Sequence, residues 1–185
     1  MSENKKRRKL KKEVVLFFRD VIISFTVVMA LMHFVFRPIQ VKGRSMYPTL
    51  EDGAYGFSNT IGLHFGRLKR FDVVILYLPE RKEYIVKRIV GLPGEIIEYK
   101  NSKLLINGKE VEESFLNHSY RKQYGELFTS DVPEQTIPDN HYFCLGDNRP
   151  NSSDSRVYGS FAKSQIVSKG AFILYPFSNF GVKSW

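Results

Sequence analysis

The pattern of apolar and polar positions divides the chain into one long apolar run and a series of short alternating segments. Val14–Phe36 contains 23 residues, nearly all apolar. As a helix this run would be about 35 Å long, enough to cross a bilayer's hydrocarbon core. Arg19 and Asp20 interrupt it near its start, where polar side chains can reach the interface. The pattern predicts a transmembrane anchor at residues 14–36 after an N-terminal tail at residues 1–13.

Short β-type segments follow the anchor. Runs rich in branched and aromatic residues, bounded by Pro, Gly or Asn, predict strands. Asn107-Gly108 between two such runs predicts a type I′ hairpin. The predicted strands are Pro38–Lys42, Phe71–Leu78, Tyr84–Val90, Ile96–Lys100, Leu104–Ile106, Lys109–Val111, His141–Leu145 and Ala171–Tyr175. We expect residues 112–136 to form a polar, irregular loop, and residues 37–185 to form one mainly β domain.

The net charge of +9 lies mostly at the N-terminus. Residues 1–13 carry seven Lys or Arg and two Glu, a net +5 that leaves +4 for the rest of the chain. A basic block beside an apolar run sets membrane orientation, with the basic side in the cytoplasm. We therefore expect a single-pass protein of the cell membrane, with residues 37–185 outside the cytoplasm. The usual nucleic-acid-recognition motifs are absent from the sequence, so we expect no nucleic-acid partner.

Two alternative interpretations of the apolar run are weaker. A cleaved secretory signal needs small residues before its cleavage point, whereas this run ends in Phe34–Pro38. A buried helix of a soluble protein would not explain the basic flank. Cys144 is the only cysteine, so we expect it to be a small buried core residue. The four histidines lack metal-ligand spacing, and we expect neither a metal nor a cofactor.

Two residues are candidates for chemistry. In an extended strand, Lys87 would share one face with Ile85 and Ile89. If that face is buried, the pKa of its amine falls, and a neutral amine is a competent general base. Ser45 follows Gly43, which permits a positive φ, so Ser45 can be an exposed nucleophile beside backbone N–H groups. A strand-edge lysine in water and an ordinary turn serine are the alternatives.

A third segment, Gly146–Arg156, combines turn formers, hydroxyls and opposite charges directly after a strand. It could be a hydrated loop. It could also position a lysine amine through a hydroxyl, held by an ion pair of Asp154 with Arg156 or by one involving Asp147.

Together these segments resemble the type I signal peptidases, in particular the short bacterial kind with a single membrane anchor, as in Gram-positive bacteria. The residues that carry the resemblance are Gly43–Leu50, Arg70–Val74, Val86–Glu95, and Gly146–Arg156 with Gly159. The resemblance implies a largely antiparallel β catalytic domain with an apolar, membrane-facing surface. It also implies a serine endopeptidase that removes signal peptides from exported preproteins at the bilayer, without a cofactor.

By this resemblance Ser45 is the nucleophile and Lys87 the general base. Ser152 matches the serine that orients the lysine amine, and the Ser45 N–H would be one oxyanion donor. Gly43 stands where some relatives have a serine that supplies the second donor, so that donor is open. The supporting charges of the Gly146–Arg156 loop would be Asp147, Asp154 and Arg156.

Two other functions are possible. A catalytically silent relative could act as a membrane-bound assembly or binding factor, but such a role requires neither Ser45 nor Lys87. A self-cleaving repressor with Ser–Lys chemistry would need a DNA-binding domain before the serine, where this chain has its apolar run.

Overall fold

A computed structural model describes residues 2–60, 63, 66–125 and 128–183, with the backbone alone for residues 2–10 and 31–36. The side chains of most of the basic block and of the last six residues of the predicted anchor thus lie outside the described part. The chain divides into two compact units, with the boundary between Phe36 and Arg37.

The first unit is a helix, α1, over Ser2–Val35. Arg19 and Asp20, both exposed, form an ion pair of 2.8 Å, so the two charges within the apolar run are paired with each other. Within the residues described, no helix contains an apolar stretch that meets the hydropathy expected of a membrane span.

The second unit is built mainly from antiparallel strands, as the sequence and the resemblance predicted. Among the residues described, its short α-helices are α2 (His118–Lys122) and α3 (Ser155–Tyr158). The strands are β1 (Phe36–Gln40), β2 (Tyr55–Asn59), β3 (Val73–Leu78), β4 (Glu83–Gly91), β5 (Ile96–Lys100), β6 (Lys103–Ile106), β7 (Lys109–Val111), β8 (Val132–Thr136), β9 (His141–Leu145), β10 (Phe161–Ala162), β11 (Ile166–Tyr175) and β12 (Gly181–Val182).

These strands form two sheets. The larger has the order β1-β2-β11-β3-β4-β9-β10, with β12 also paired to β11. The smaller has the order β7-β6-β5-β8. In the larger sheet β4 is central and pairs antiparallel with both β3 and β9.

Apolar side chains cover both faces of β4. Val90 belongs to a core with Ile97 and Leu104 of the smaller sheet. Ile89 points into a second core, with Val74 and Cys144. Cys144 is fully buried, which confirms its interpretation as a core residue. The C-terminal half of β4 therefore lies between two apolar layers.

Most of the strand predictions are confirmed to within a few residues. The bounds of β5, β7 and β9 are the predicted ones, and Asn107 and Gly108 both have positive φ (51° and 73°) in a two-residue hairpin loop. The predicted loop at 112–136 is partly wrong, since it contains α2 and β8. Strand β8 was missed because only its first residue, Val132, is buried, so it has no apolar alternation.

A buried ion pair connects Glu113, two residues after β7 of the smaller sheet, to the segment after β9. Arg149 Nη2 donates to Glu113 Oε1 at 2.5 Å, and both side chains are almost completely inaccessible to solvent. Tyr99 of β5 donates its hydroxyl proton to the same carboxylate at 2.8 Å. The Gly146–Arg156 segment is thus fixed against the smaller sheet by charge rather than by apolar packing.

We expect Glu113→Ala to lower the free energy of unfolding by about 3–5 kcal/mol, because it leaves the buried Arg149 guanidinium without its partner. The matched control is Glu110→Ala, which removes an exposed pair of 3.0 Å with Lys103 and should cost less than about 1 kcal/mol. Denaturant unfolding of both variants measures the difference. Equal losses of unfolding free energy in the two variants would show that the buried pair contributes no more to stability than the exposed pair.

Candidate active site

Ser45 and Lys87 lie next to each other although they are distant in the sequence. Their side-chain atoms Oγ and Nζ form a hydrogen bond of 2.8 Å. Ser45 lies on the turn after β1, and Lys87 is in β4, directly opposite Val74 of β3. When the amine is charged it donates to the hydroxyl, and when it is neutral it can accept the hydroxyl proton.

The turn that carries Ser45 is fixed by its own hydrogen bonds. Gly43 has a φ of +83°, the left-handed conformation that its lack of a side chain permits. Its N–H donates to Asp52 Oδ1 at 2.8 Å, so this N–H is not available as an oxyanion donor. The second donor therefore remains unassigned. Within the described chain the Ser45 N–H takes part in no hydrogen bond.

Lys87 is 2% exposed, and its environment explains its electrostatics. Burial lowers the pKa of its amine to about 8, against an opposing effect of the Asp154 carboxylate and with a further lowering from Arg156. The predicted alternation of Ile85, Lys87 and Ile89 on one face explains only part of the burial of Lys87. From Lys87 to Gly91 every residue of β4 is buried, whichever face it occupies.

Arg88 is the neighbour that sequence reasoning missed. It is completely buried on the face opposite Lys87 and donates from Nε and Nη2 to both oxygens of Asp147, at 2.9 and 2.7 Å. Its guanidinium also lies 4.2 Å from the ring centre of Phe115 and donates to the Phe71 carbonyl. A buried arginine needs such partners. In the sequence, Asp147 was the one signal that could have indicated a buried basic partner.

The other predicted charge pair lies at the far end of the same segment. Arg156 Nη2 and Asp154 Oδ2 are 2.8 Å apart, and Asp154 is fully buried. Burial would raise the pKa of Asp154, but the hydrogen bonds and positive charge of Arg156 outweigh it and hold the pKa below its usual range. Asp154 also accepts from the Gly146 N–H at 3.1 Å. The segment is thus a buried, charge-paired structure and not a hydrated loop.

Ser152 lies close to Ser45 but is not hydrogen-bonded to Lys87. Its Oγ is buried and makes no well-formed hydrogen bond among the residues described, but its hydroxyl helps to lower the pKa of the Asp154 carboxyl. A Cβ at Gly146 would collide with this hydroxyl and with the Ser45 carbonyl, so Gly146 brings the two serines close together. The orienting role of Ser152 stays a prediction.

An open groove of about 750 Å³ leads to Ser45. Its walls include apolar side chains from the segment after α1 and from β3 and β4, among them Ile39, Ile75 and Val86. Such a groove can hold an extended peptide with small apolar side chains next to the Ser45 hydroxyl. Within the described chain, no cluster of three or more His, Cys, Asp or Glu could hold a metal ion.

Comparison with known proteins gives consistent matches. The family described as "Signal peptidase, peptidase S26" matches residues 14–175. Signal peptidase IB of Staphylococcus aureus (strain COL) is 36% identical over 181 residues, which cover 92% of this chain and 94% of the relative. Signal peptidase I of Bacillus amyloliquefaciens is 41% identical over 162 residues, 86% and 84% of the two chains. The crystal structure of a signal peptidase I from Enterococcus faecalis V583 has a TM-score of 0.51 and 33% identity, covering 56% of this chain and 96% of that one.

Lys87→Met should make the protein more stable at neutral pH. The folded-state pKa of Lys87 lies below its unfolded value, so the buried charge costs stability fully below pH 8, and the cost disappears as the pH rises toward 10.5. The lowering of the Lys87 pKa from 10.5 to about 8 corresponds to about 3 kcal/mol, so the gain should be of that order. Denaturant unfolding at pH 7 and pH 10 measures this gain. A variant less stable than the wild type at pH 7 would contradict the account of a desolvated amine.

Proposed function

We propose that this chain, which belongs to the signal peptidase S26 family and is a hydrolase of that family, cleaves signal peptides with a Ser45–Lys87 dyad. The observation that carries the proposal is the 2.8 Å contact between the Lys87 amine and the Ser45 hydroxyl. The substrates are exported preproteins with small residues at the first and third positions before the cut.

The proposed reaction has two halves. Neutral Lys87 takes the proton of Ser45 Oγ as this oxygen attacks the scissile carbonyl carbon, and the Ser45 N–H binds the developing oxyanion. The tetrahedral intermediate collapses, Lys87 gives its proton to the leaving amine, and an acyl ester remains on Ser45. Lys87 then deprotonates a water that attacks the ester, and Ser45 recovers its proton when the acyl group leaves as a carboxylic acid.

The surrounding charges have supporting roles in this proposal. Asp147 and Arg88 fix the start of the Gly146–Arg156 segment to β4, and Asp154 with Arg156 fixes its end. Ser152 would orient the lysine amine, and Gly146, where a Cβ would collide with both the Ser152 hydroxyl and the Ser45 carbonyl, lets the two serines approach each other closely.

We further propose that the enzyme works at the membrane surface, with residues 14–36 as its anchor, residues 1–13 in the cytoplasm and residues 37–185 outside. Ser45 lies nine positions after Phe36, a reach of at most about 30 Å even when fully extended. An exposed aromatic patch supports a bilayer partner. Tyr55 lies opposite Tyr175, whose ring contacts Phe177, itself 81% exposed.

The first test is substitution of the dyad in the full-length protein. Ser45→Ala and Lys87→Met should each abolish cleavage of a preprotein, at least a thousandfold, while the protein remains folded and in the membrane fraction. Mass spectrometry of the product's N-terminus measures cleavage and its position. Near-normal turnover by Lys87→Met would rule out the amine as the base.

The second test is the pH dependence of the reaction. Because only the neutral amine can accept the Ser45 proton, kcat/KM should rise with pH and level off above a midpoint near 8, the pKa to which burial lowers Lys87. Below that midpoint it should fall about tenfold per pH unit. Rates that stay constant from pH 9 down to pH 5 would contradict a lysine base.

A further inference from the structure

Asn148 holds the two peptide groups on either side of the nucleophile. Its side-chain Nδ2 donates to the Arg44 carbonyl at 2.8 Å, and its backbone N–H donates to the Ser45 carbonyl at 3.0 Å. Asn148 is 3% exposed and lies between Asp147 and Arg149, both fixed by buried ion pairs. It is therefore a rigidly mounted side chain that contacts the Ser45 turn from the Gly146–Arg156 segment.

The contact with Arg44 determines where the Ser45 N–H points. The Arg44 carbonyl and the Ser45 N–H belong to the same peptide group, which is planar and trans, so they point in opposite directions. A donor that holds the carbonyl oxygen therefore also aims the N–H. That N–H has no partner in the described part of the chain, so it is free to bind an oxyanion.

A second hydrogen bond fixes the orientation of the Asn148 amide. The Tyr120 hydroxyl donates to Asn148 Oδ1 at 2.9 Å, and Asn151 Nδ2 makes a longer bond of 3.3 Å to the same oxygen, which leaves Asn148 Nδ2 directed at the Arg44 carbonyl. Tyr120 belongs to α2, and its ring also packs edge-to-face on Tyr47, 5.2 Å between ring centres. Tyr120 thus contacts both the Ser45 turn and the residue that holds it.

We propose that Asn148 is a positioning residue, oriented by Tyr120, that aims the Ser45 N–H at the oxyanion. This rests on the proposed function of Ser45 as nucleophile. Asn148 carries no charge and is hydrogen-bonded to the Ser45 turn rather than to Lys87, so it acts on stabilisation of the transition state and not on the pKa of the base. Its loss should change kcat and leave the pH midpoint of the reaction in place.

The test uses the full-length protein in detergent micelles with a preprotein substrate. Asn148→Leu keeps roughly the side chain's size but removes the donor without adding a charge, and Asn148→Ala removes both. Deleting an oxyanion donor outright costs about 10²–10³ in kcat, so misaiming one should cost about 10–100-fold. We expect that loss in kcat with KM within about twofold and the pH midpoint unchanged. A loss confined to KM, or a shifted pH midpoint, would overturn the proposal.

A pair of tyrosine variants provides the matched comparison and does not depend on how the Asn148 variants fold. Tyr120→Phe removes the hydroxyl that orients Asn148 and should lower kcat about three- to tenfold. The control, Tyr124→Phe, removes a hydroxyl two residues beyond α2 that lies 3.4 Å from the Tyr120 hydroxyl and leaves the Tyr120–Asn148 hydrogen bond in place. Equal kcat values for the two variants would contradict the proposal.

Two further measurements separate this proposal from its premise. A peptide aldehyde that adds reversibly to Ser45 resembles the tetrahedral intermediate, so Asn148→Leu should weaken its binding in parallel with kcat/KM and leave binding of the cleaved peptide unchanged. Ser45→Ala tests the premise by itself. If Ser45→Ala is inactive and the Asn148 variants cleave normally, only the positioning role is wrong; if Ser45→Ala is active, the dyad is wrong.

Discussion

The contact between a buried amine and a serine hydroxyl is the interaction on which the rest of this structure depends. Taking Lys87 out of water destabilises its charged form, and the pKa of about 8 is the result of that cost and of the partial compensation by Asp154. Greater compensation would keep the amine protonated and useless as a base. Without any carboxylate nearby, burial would lower the pKa further and weaken its ability to take a proton.

This balance requires several charges to be held in place without solvent, and buried ion pairs do this. Asp147 is fixed to β4 by Arg88, and Arg149 is fixed to the smaller sheet by Glu113. Each pair anchors the Gly146–Arg156 segment to a different element. The smaller sheet lines neither the dyad nor the groove. It nevertheless supports the candidate site, because it holds the segment in which Asn148 contacts the Ser45 turn.

The sequence predicted β5 and β9, where branched or aromatic residues lie between turn formers, but it missed β2 (Tyr55–Asn59). It failed for β8, an edge strand with one buried residue, because periodicity reports burial and not hydrogen bonding. The neighbourhood of Ser45 and Lys87 could be predicted only through the resemblance, since local patterns do not specify contacts over 42 positions. Local alternation also failed to predict that Arg88, beside Lys87, is equally buried. That burial arises from two apolar layers that assemble only in the complete fold.

The most direct measurement of the central claim is the titration of Lys87 itself. In full-length protein labelled with ¹³C at lysine Cε, NMR should reveal one resonance that titrates near pH 8 and is missing from Lys87→Met. If the resonance assigned to Lys87 instead titrates near 10.5, the amine is charged at neutral pH and the account of this site is wrong.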